Sequence, residues 1–165
     1  MSVHVMASTI RQFKTQWVFG HLTTAWRREI IAFWLREGAL TSPDEAWRRS
    51  FEVACVLQDG ELGSIAGVCT VAIHIDGDGR SYGFVRMFIG SDSRRVGLNV
   101  QLMKRMIEGF EALAHEPGGP RRLVMTIENR KLERRAAQGI LARLGFVHDG
   151  MAPSGELIMQ RTLIA

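Results

Sequence analysis

Between Ser81 and Phe110 the sequence predicts a strand, a polar turn and an amphipathic helix in immediate succession. Tyr82 to Ile89 is rich in aromatic and β-branched residues, and the turn formers Gly90 to Ser93 follow it directly, so we expect a strand that ends near Ile89. A helix is expected to begin near Arg95. It is indicated by apolar residues at spacings of three and four, namely Val96, Val100, Met103, Ile107 and Phe110.

The turn that opens this helix has the features of an anion-binding site. The first N–H groups of a helix have no intrahelical acceptor and lie at the positive end of its macrodipole. Gly97 removes a side chain where a ligand would approach the backbone, and Arg94 or Arg95 can donate charge-assisted hydrogen bonds to a diphosphate. A solvated basic turn with an incidental glycine is the alternative, because short glycine-containing patterns are frequent.

The elements before this segment are predicted from turn formers and periodicity. A first strand is expected around Ile10 to Val18, and a helix from Thr24 to Gly38. Ser42 and Pro43 start a short helix that continues through Arg49. Trp26, Trp34 and Trp47 lie in these helices, where we expect aromatic residues to pack in the core or at its rim.

The remaining elements complete a mixed α+β fold. An antiparallel meander is joined by Asp-Gly turns, and the strand after the central helix is expected to lie parallel to the strand before it, by the crossover rule. A last helix runs from about Lys131 to Gly145, with one apolar face at Leu132, Ala136, Ile140 and Leu144. The strands are expected at Phe51–Gln58, Ser64–Ile75, Tyr82–Ile89, Arg122–Ile127, Phe146–His148 and Leu157–Leu163.

Composition narrows the class of protein. The chain of 165 residues is 46% hydrophobic and 23% charged, which suits one soluble domain over residues 1–165. We expect a cytoplasmic location, since no long apolar run or leader pattern is present. The net charge of +4 permits a nucleic-acid partner but does not indicate one. Cys55 and Cys69 have no metal-ligand spacing, so we expect reduced thiols and no metal.

Two segments resemble the GNAT superfamily of acyl-CoA-dependent N-acyltransferases. Its phosphate loop reads Q/R-x-x-G-x-G/A between a strand and a helix, and Arg94 to Asn99 matches except at Asn99, which stands where Gly or Ala is usual. The side chain of Asn99 either crowds the diphosphate or donates to it. The second segment is ARLGFVHDG, Ala142 to Gly150; it is similar to the end of the superfamily's last helix through Ala137, Leu144, Gly145 and Phe146.

The resemblance implies a mixed, mostly antiparallel sheet with a splayed parallel strand pair and about four flanking helices. It also implies acetyl-CoA or another acyl-CoA as cosubstrate and no metal. In the superfamily the segment between the first two strands commonly builds the acceptor side of the cleft, so the resemblance makes Trp26, Trp34 and Trp47 candidates for substrate contact. A backbone N–H of Phe88 or Ile89 would stabilise the oxyanion formed at the thioester. The cosubstrate-binding residues carried over are Met87, Phe88, Ile89, Arg94, Arg95, Val96, Gly97, Leu98, Asn99 and, weakly, Asn129.

The acid and base of such a transfer are less clear in this sequence. Leu141 stands where many relatives carry the tyrosine thought to protonate the leaving thiolate, and Tyr82 is the one tyrosine of the chain. A thiol has a pKa of about 8.5, so water can supply that proton. Glu128, expected at the carboxyl end of a parallel strand, is the candidate base for the amine. His74 is expected opposite Ser81, too far from Phe88 to take part.

Two functions follow. The first is an N-acyltransferase that moves an acetyl or other acyl group from acyl-CoA to an amine by direct attack in a ternary complex. The alternative is a catalytically degenerate domain of the same fold that binds or regulates, with nucleic acid as one permitted partner. Helix amides capped by the protein's own side chains, or Asn99 filling the pocket, would argue against the first. A homodimer is the commonest assembly for a soluble oligomer.

Overall fold

The computed structural model describes residues 12–94, 97–127 and 131–164, with the backbone alone for residues 131–134. Within these ranges seven strands form one sheet in the order β1-β2-β3-β4-β5-β7-β6. Only the β4–β5 pair is parallel, so the expected mixed and mostly antiparallel sheet is confirmed. The strands are β1 Phe13–Trp17, β2 Val53–Asp59, β3 Ile65–Ile75, β4 Ser81–Ile89, β5 Arg122–Ile127, β6 Val147–Met151 and β7 Leu157–Thr162.

Four α-helices flank the sheet, as expected. They are α1 Thr24–Glu37, α2 Pro43–Ser50, α3 Leu98–Leu113 and α4 Lys131–Arg143. Local signals set the ends of the first two, since the side chains of Thr23 and Ser42 each accept a hydrogen bond from the backbone N–H three residues on. Gly38 ends α1 in the left-handed conformation, with φ of 73°.

Two apolar clusters pack on opposite faces of the sheet. The larger one joins α3 and α4 to the sheet and includes Leu102, Met106 and Phe110 of α3, all fully buried. The smaller one joins α1 to strands β2 and β3, with Ile30, Phe33 and Trp34 buried against the sheet. In β4, Met87 packs against the first cluster and Phe88 against the second, because side chains alternate between the two faces of a strand.

Three expectations about element positions need correction. The central helix begins at Leu98 and not near Arg95, because Gly97 adopts a left-handed conformation and a short 3₁₀ turn, Ser91–Ser93, follows β4. The buried face of α4 contains Ala137 and Leu141, whereas Ala136 is exposed. The strand register places His74 opposite Tyr82, one residue from the predicted partner. The first strand begins at Phe13 among the described residues, and Ile10 and Arg11 lie outside them.

Candidate active site

Strands β4 and β5 separate from each other halfway along their length. They pair over three positions, from Tyr82 opposite Arg122 to Phe84 opposite Val124, although β4 continues to Ile89 and β5 to Ile127. Beyond Phe84, β4 still pairs with β3 and β5 still pairs with β7. The sheet therefore contains a wedge between its two parallel strands, and the splayed pair expected from the sequence is confirmed.

A cavity of about 770 Å³ opens at this wedge. Its walls come from the end of β4, the loop and first turn of α3, and the last turn of α4. The lining residues are Met87, Phe88, Ile89, Arg94, Gly97, Asn99, Val100, Ile140 and Arg143. Six of the cosubstrate-binding residues predicted from the sequence lie on these walls. Leu98 is not one of them, because its side chain is buried in the core.

A second, smaller cavity adjoins the first and extends between β5 and α4. It has a volume of about 280 Å³ and shares Met87, Asn99 and Ile140 with the larger cavity. Its other walls are Met103, Met125, Thr126, Ile127, Ala137 and Leu141. Because most of these side chains are apolar, this part of the site suits an uncharged portion of a ligand.

The backbone at the end of β4 presents hydrogen-bonding groups to the wedge. The N–H of Gly90 donates to the carbonyl of Ala66 over 2.8 Å, and β3 and β4 pair without a register shift. Backbone groups of a strand alternate between its two edges. The N–H of Phe88 is therefore directed to β3, and those of Met87 and Ile89 are directed to the wedge. Of the two amides expected to stabilise an oxyanion, the geometry favours Ile89, and it adds Met87.

The start of α3 lies across the cavity from this strand end. Gly97, with φ of 94°, turns the chain so that α3 begins at Leu98. The side-chain oxygen of Asn99 accepts a hydrogen bond from the N–H of Val100 over 2.8 Å. Among the described residues, no acceptor lies within hydrogen-bond distance of the N–H groups of Leu98 or Asn99.

Two structural conditions would argue against the transferase: helix amides capped by the protein's own side chains, and a pocket filled by Asn99. The first is met for one amide, since Asn99 caps Val100. The second is not met, because Asn99 lies on the wall of a cavity that retains about 770 Å³. The N–H groups of Leu98 and Asn99 thus have no hydrogen-bond acceptor among the described residues, whereas the N–H of Val100 is capped by the Asn99 side chain.

Two basic side chains, Arg94 and Arg143, line the cavity near the first turn of α3. The Nε–H of Arg94 donates to the carbonyl of Ile89 over 3.1 Å, and its guanidinium lies 5.6 Å from the ring centroid of Phe88. Arg94 thereby fixes the loop against the end of β4 while its side chain stays exposed. Arg143 contributes a second positive charge from α4. Arg95, Val96, Glu128 and Asn129 lie outside the described residues, so their assigned roles remain predictions.

The second sequence resemblance falls on the junction of α4 and β6. Gly145 has φ of 87°, and the N–H of Phe146 returns to the carbonyl of Leu141 over 2.9 Å. Phe146 is buried in the larger cluster, with Ala137 and Leu144 packed against it. This glycine and phenylalanine therefore end the helix and anchor it to the core beside the wedge.

Tyr82 is the one tyrosine of the chain, and it does not line the cavity; Leu141 stands where the resemblance leads us to expect a tyrosine. Leu141 is 5% exposed and packs in the core, where it lines the smaller cavity. Tyr82 lies at the opposite end of β4, six residues from Phe88, which corresponds to about 20 Å along a strand. His74 pairs with Tyr82 at that same distant end. Among the described residues, no tyrosine therefore lies on the walls of either cavity.

The tryptophans considered as substrate contacts have different environments. Trp34 is buried in the smaller cluster, and Trp26 packs against that cluster. Trp47 is 52% exposed and lies beside the Phe51 ring, with the Arg27 guanidinium 5.5 Å from its own ring centroid. None of the three lines the wedge cavity.

Sequence reasoning missed the contribution of α4 to the site. Ile140 and Arg143 line the main cavity, but the apolar pattern of this helix was assigned wholly to packing against the sheet. The sequence feature that could have indicated this contribution is Arg143, a basic residue directly before Leu144-Gly145-Phe146 at the end of the helix.

Both cysteines are buried, free thiols, one on β2 and one on β3, directly opposite each other. Burial raises the pKa of Cys55 to about 12, and burial likewise raises that of Cys69. No group of three or more potential metal-ligating side chains is found within the described ranges. No helix there is long and apolar enough to cross a membrane.

Comparison with solved structures identifies the fold. An acetyltransferase of the GNAT family from Streptococcus pneumoniae superposes with a TM-score of 0.67 and 19% identity, over 93% of this chain and 100% of that one. A GNAT superfamily phosphinothricin acetyltransferase from Sinorhizobium meliloti, in complex with acetyl-CoA, gives a TM-score of 0.67 and 19% identity, over 94% and 90% of the two chains.

A third similar structure is the NatC complex bound to Gag peptide and CoA, with a TM-score of 0.66, 12% identity, and coverage of 92% and 98%. No protein-family model matches the sequence, and no match is found among curated proteins. The chain therefore has the fold of the GNAT acetyltransferases.

Proposed function

We propose that the protein is an acyl-CoA-dependent N-acyltransferase whose cosubstrate lies in the wedge between β4 and β5. The observation that carries this proposal is the end of β4, Met87 to Ile89, whose edge toward β5 has no strand partner and which faces the first turn of α3 across the cavity. Such an arrangement offers strand-like hydrogen bonding to a pantetheine amide and an anion site to a diphosphate. The acetyl-CoA bound in the Sinorhizobium meliloti enzyme supports this class of ligand.

The charges of the cavity suit a diphosphate at one end and a thioester at the other. The amides of Leu98 and Asn99, together with Arg94 and Arg143, provide donors and positive charge near the start of α3. The smaller cavity lies toward β5 and is mostly apolar, which suits the uncharged pantetheine. The thioester carbonyl would accept a hydrogen bond from the Ile89 or Met87 amide.

The reaction follows from this placement. The amine nitrogen attacks the thioester carbonyl carbon, a C–N bond forms, and a backbone N–H of β4 stabilises the resulting oxyanion. In other enzymes with an oxyanion hole, loss of one such donor raises the activation free energy by about 3 kcal/mol. The C–S bond then breaks and CoA leaves as a thiolate, which water protonates. Glu128, directly after the last residue of β5, remains our candidate to accept the proton of the amine.

The test is binding followed by turnover. Acetyl-CoA at one hundred times its Kd should raise the free energy of unfolding by about 2.7 kcal/mol, as measured by thermal or chemical denaturation. Arg143→Gln should weaken binding about tenfold or more, whereas Arg135→Gln, an exposed position on the same helix, should not change it. Absence of stabilisation by any acyl-CoA would refute the proposal.

The degenerate alternative is distinguished in the same experiment. Release of free CoA thiol in the presence of primary amines indicates transfer, whereas binding of acetyl-CoA without release under any amine indicates a binding domain. Asn99 and Leu141 are the two departures on which that alternative depends. Neither closes the wedge, since the cavity remains open beside both side chains.

A further inference from the structure

A small polar cavity lies on the face of the sheet opposite α3. It has a volume of about 160 Å³ and is enclosed by α1, α2, β3 and β4. Trp34 and Phe88 form apolar walls, and Arg49, Thr70 and Arg86 supply polar groups. Met87 and Phe88 line both this cavity and the wedge cavity, so the two cavities lie on either side of the same stretch of β4.

Two arginines line this small space: Arg49 is half-buried, and Arg86 is exposed with its guanidinium 4.8 Å from the ring centroid of Phe84. The pKa of Arg86 is lowered, first by partial burial and then by the nearby positive charge of Arg49. Arg49 forms an ion pair with Glu45 at 3.2 Å. Glu45 and Glu52 also act on Arg86 electrostatically, but within the described residues neither comes within 4 Å of its guanidinium. The Arg86 donors are therefore available to a ligand.

Thr70 provides an independent indication of a ligand. Its side chain is 3% exposed and lines the cavity, and its hydroxyl has no hydrogen-bond partner among the described residues. A buried hydroxyl without a partner carries an uncompensated desolvation cost. An anionic oxygen in the cavity would accept this hydrogen bond together with those of the two arginines.

We propose that this cavity is the acceptor subsite, and that it holds an oxyanion group, a carboxylate or a phosphonate, of a small amine substrate. The inference rests on the proposed transferase function and names its substrate class. The volume equals that of about five water molecules, which limits the group to the size of an amino-acid head. Arg86 and Ile89 are three residues apart on β4, about 10 Å along the strand, a distance that the Arg86 side chain and the acceptor molecule together would have to span.

Matched substrates test the charge requirement. Amino acids and aminophosphonates are compared with the carboxamides of the same amino acids, which keep the amine but lose the negative charge. Thiol release from acetyl-CoA should show kcat/KM at least about tenfold higher for the charged member of the best pair. Arg86→Gln should bring that ratio close to one, whereas Arg48→Gln, an exposed α2 position outside the cavity, should leave it unchanged.

Thr70→Val gives a readout that a structural role would not produce. Removal of an unpartnered buried hydroxyl should leave the Tm equal or higher. The KM for the charged acceptor should rise about threefold to tenfold, while the KM for its carboxamide stays constant. A lower Tm with equal effects on both acceptors would mean that Thr70 serves folding only, and would contradict its assignment to the subsite.

Direct binding separates failure of this inference from failure of the transferase proposal. Chemical-shift changes at Thr70 and Arg86 on addition of glycine, aminomethylphosphonate or glycinamide report on the subsite without turnover. If acetyl-CoA binds but neither charged probe shifts these resonances, the subsite is refuted and the transferase stands. If the charged probes shift them but no acyl-CoA binds, the transferase is refuted and the anion subsite stands. Faster turnover of peptide amines than of any amino acid or aminophosphonate would overturn the small-substrate assignment.

Discussion

Gly97 and Gly139 provide a matched pair in which the same substitution should have opposite effects. At both positions, a Cβ atom would meet no heavy atom within 4 Å, so steric crowding does not contribute to the difference. Gly97 has φ of 94°, a conformation that L-residues disfavour, whereas Gly139 lies inside α4. Backbone conformation alone should therefore decide the sign of each change in stability.

The magnitudes follow from this geometry. Gly97→Ala should reduce the free energy of unfolding by about 1–2 kcal/mol, the cost of a left-handed non-glycine residue. Gly139→Ala should increase it by about 0.5–1 kcal/mol, because glycine is unfavourable inside a helix. For a chain of this size, 1 kcal/mol corresponds to roughly 2–4 °C in Tm.

The assay is thermal and chemical denaturation of both variants beside the unmodified protein, followed by titration with acetyl-CoA. Gly97→Ala should also weaken acetyl-CoA binding, since this residue lines the cavity and sets the direction of the first α3 amides. Gly139→Ala should bind acetyl-CoA normally. An unchanged Tm for Gly97→Ala would refute the reasoning, because it would show that the backbone at this turn is free to adopt another conformation.

Three further predictions concern single side chains. Asn99→Ala removes the acceptor of the Val100 N–H and should lower the free energy of unfolding by about 0.5–1.5 kcal/mol. With saturating acetyl-CoA, the difference in stability between this variant and the unmodified protein should become smaller. A larger difference would show that Asn99 itself binds the ligand. With the pKa of Cys55 raised to about 12, a thiol reagent at pH 8 should modify neither cysteine in the native protein and both after unfolding; no reaction after unfolding would reveal a disulfide. Hydrogen bonds, first among them the one from the Arg80 N–H, lower the pKa of the Asp76 carboxyl below its usual 3.8. The stabilising effect of this carboxylate is therefore present above about pH 4 and is lost as the pH falls through its folded-state pKa. The difference in Tm between Asp76→Asn and the unmodified protein should disappear over this pH range, and a constant difference would contradict the prediction.

The sequence predicted the sheet well because its strands are bounded by strong local signals. Asp-Gly turns mark both hairpins of the meander, and the right-handed crossover rule correctly made β5 parallel to β4. The splay of these two strands came from the resemblance alone. Nothing in the residues of β4 predicts that its pairing with β5 ends at Phe84.

Helix faces and boundaries were predicted less well, because tertiary contacts decide them. Val96 continued the apolar spacing of α3, yet Gly97 starts the helix later and Leu98 takes the first buried position. In α4, residues 136 and 137 are both alanine, so the sequence does not show which of them faces the core. The packing of the helix on the sheet places Ala137 against the core and leaves Ala136 exposed. The Arg49, Thr70 and Arg86 cluster was not predicted, since its members lie on three elements far apart in sequence.

The short seam between β4 and β5 has a mechanical consequence. In the described structure, the backbone connection between the β1–β4 half of the sheet and the β5–β7 half is short: it consists of three paired positions and the hydrogen bond from the Arg121 N–H to the Ser81 carbonyl. A ligand whose amide groups form hydrogen bonds with the backbone of Met87 and Ile89 would take the place of a strand and connect the two halves of the sheet. Hydrogen–deuterium exchange at these two amides should then slow when acetyl-CoA is added, and exchange across β5 should slow with it. In that view the substrate completes the sheet, and release of the product reopens it.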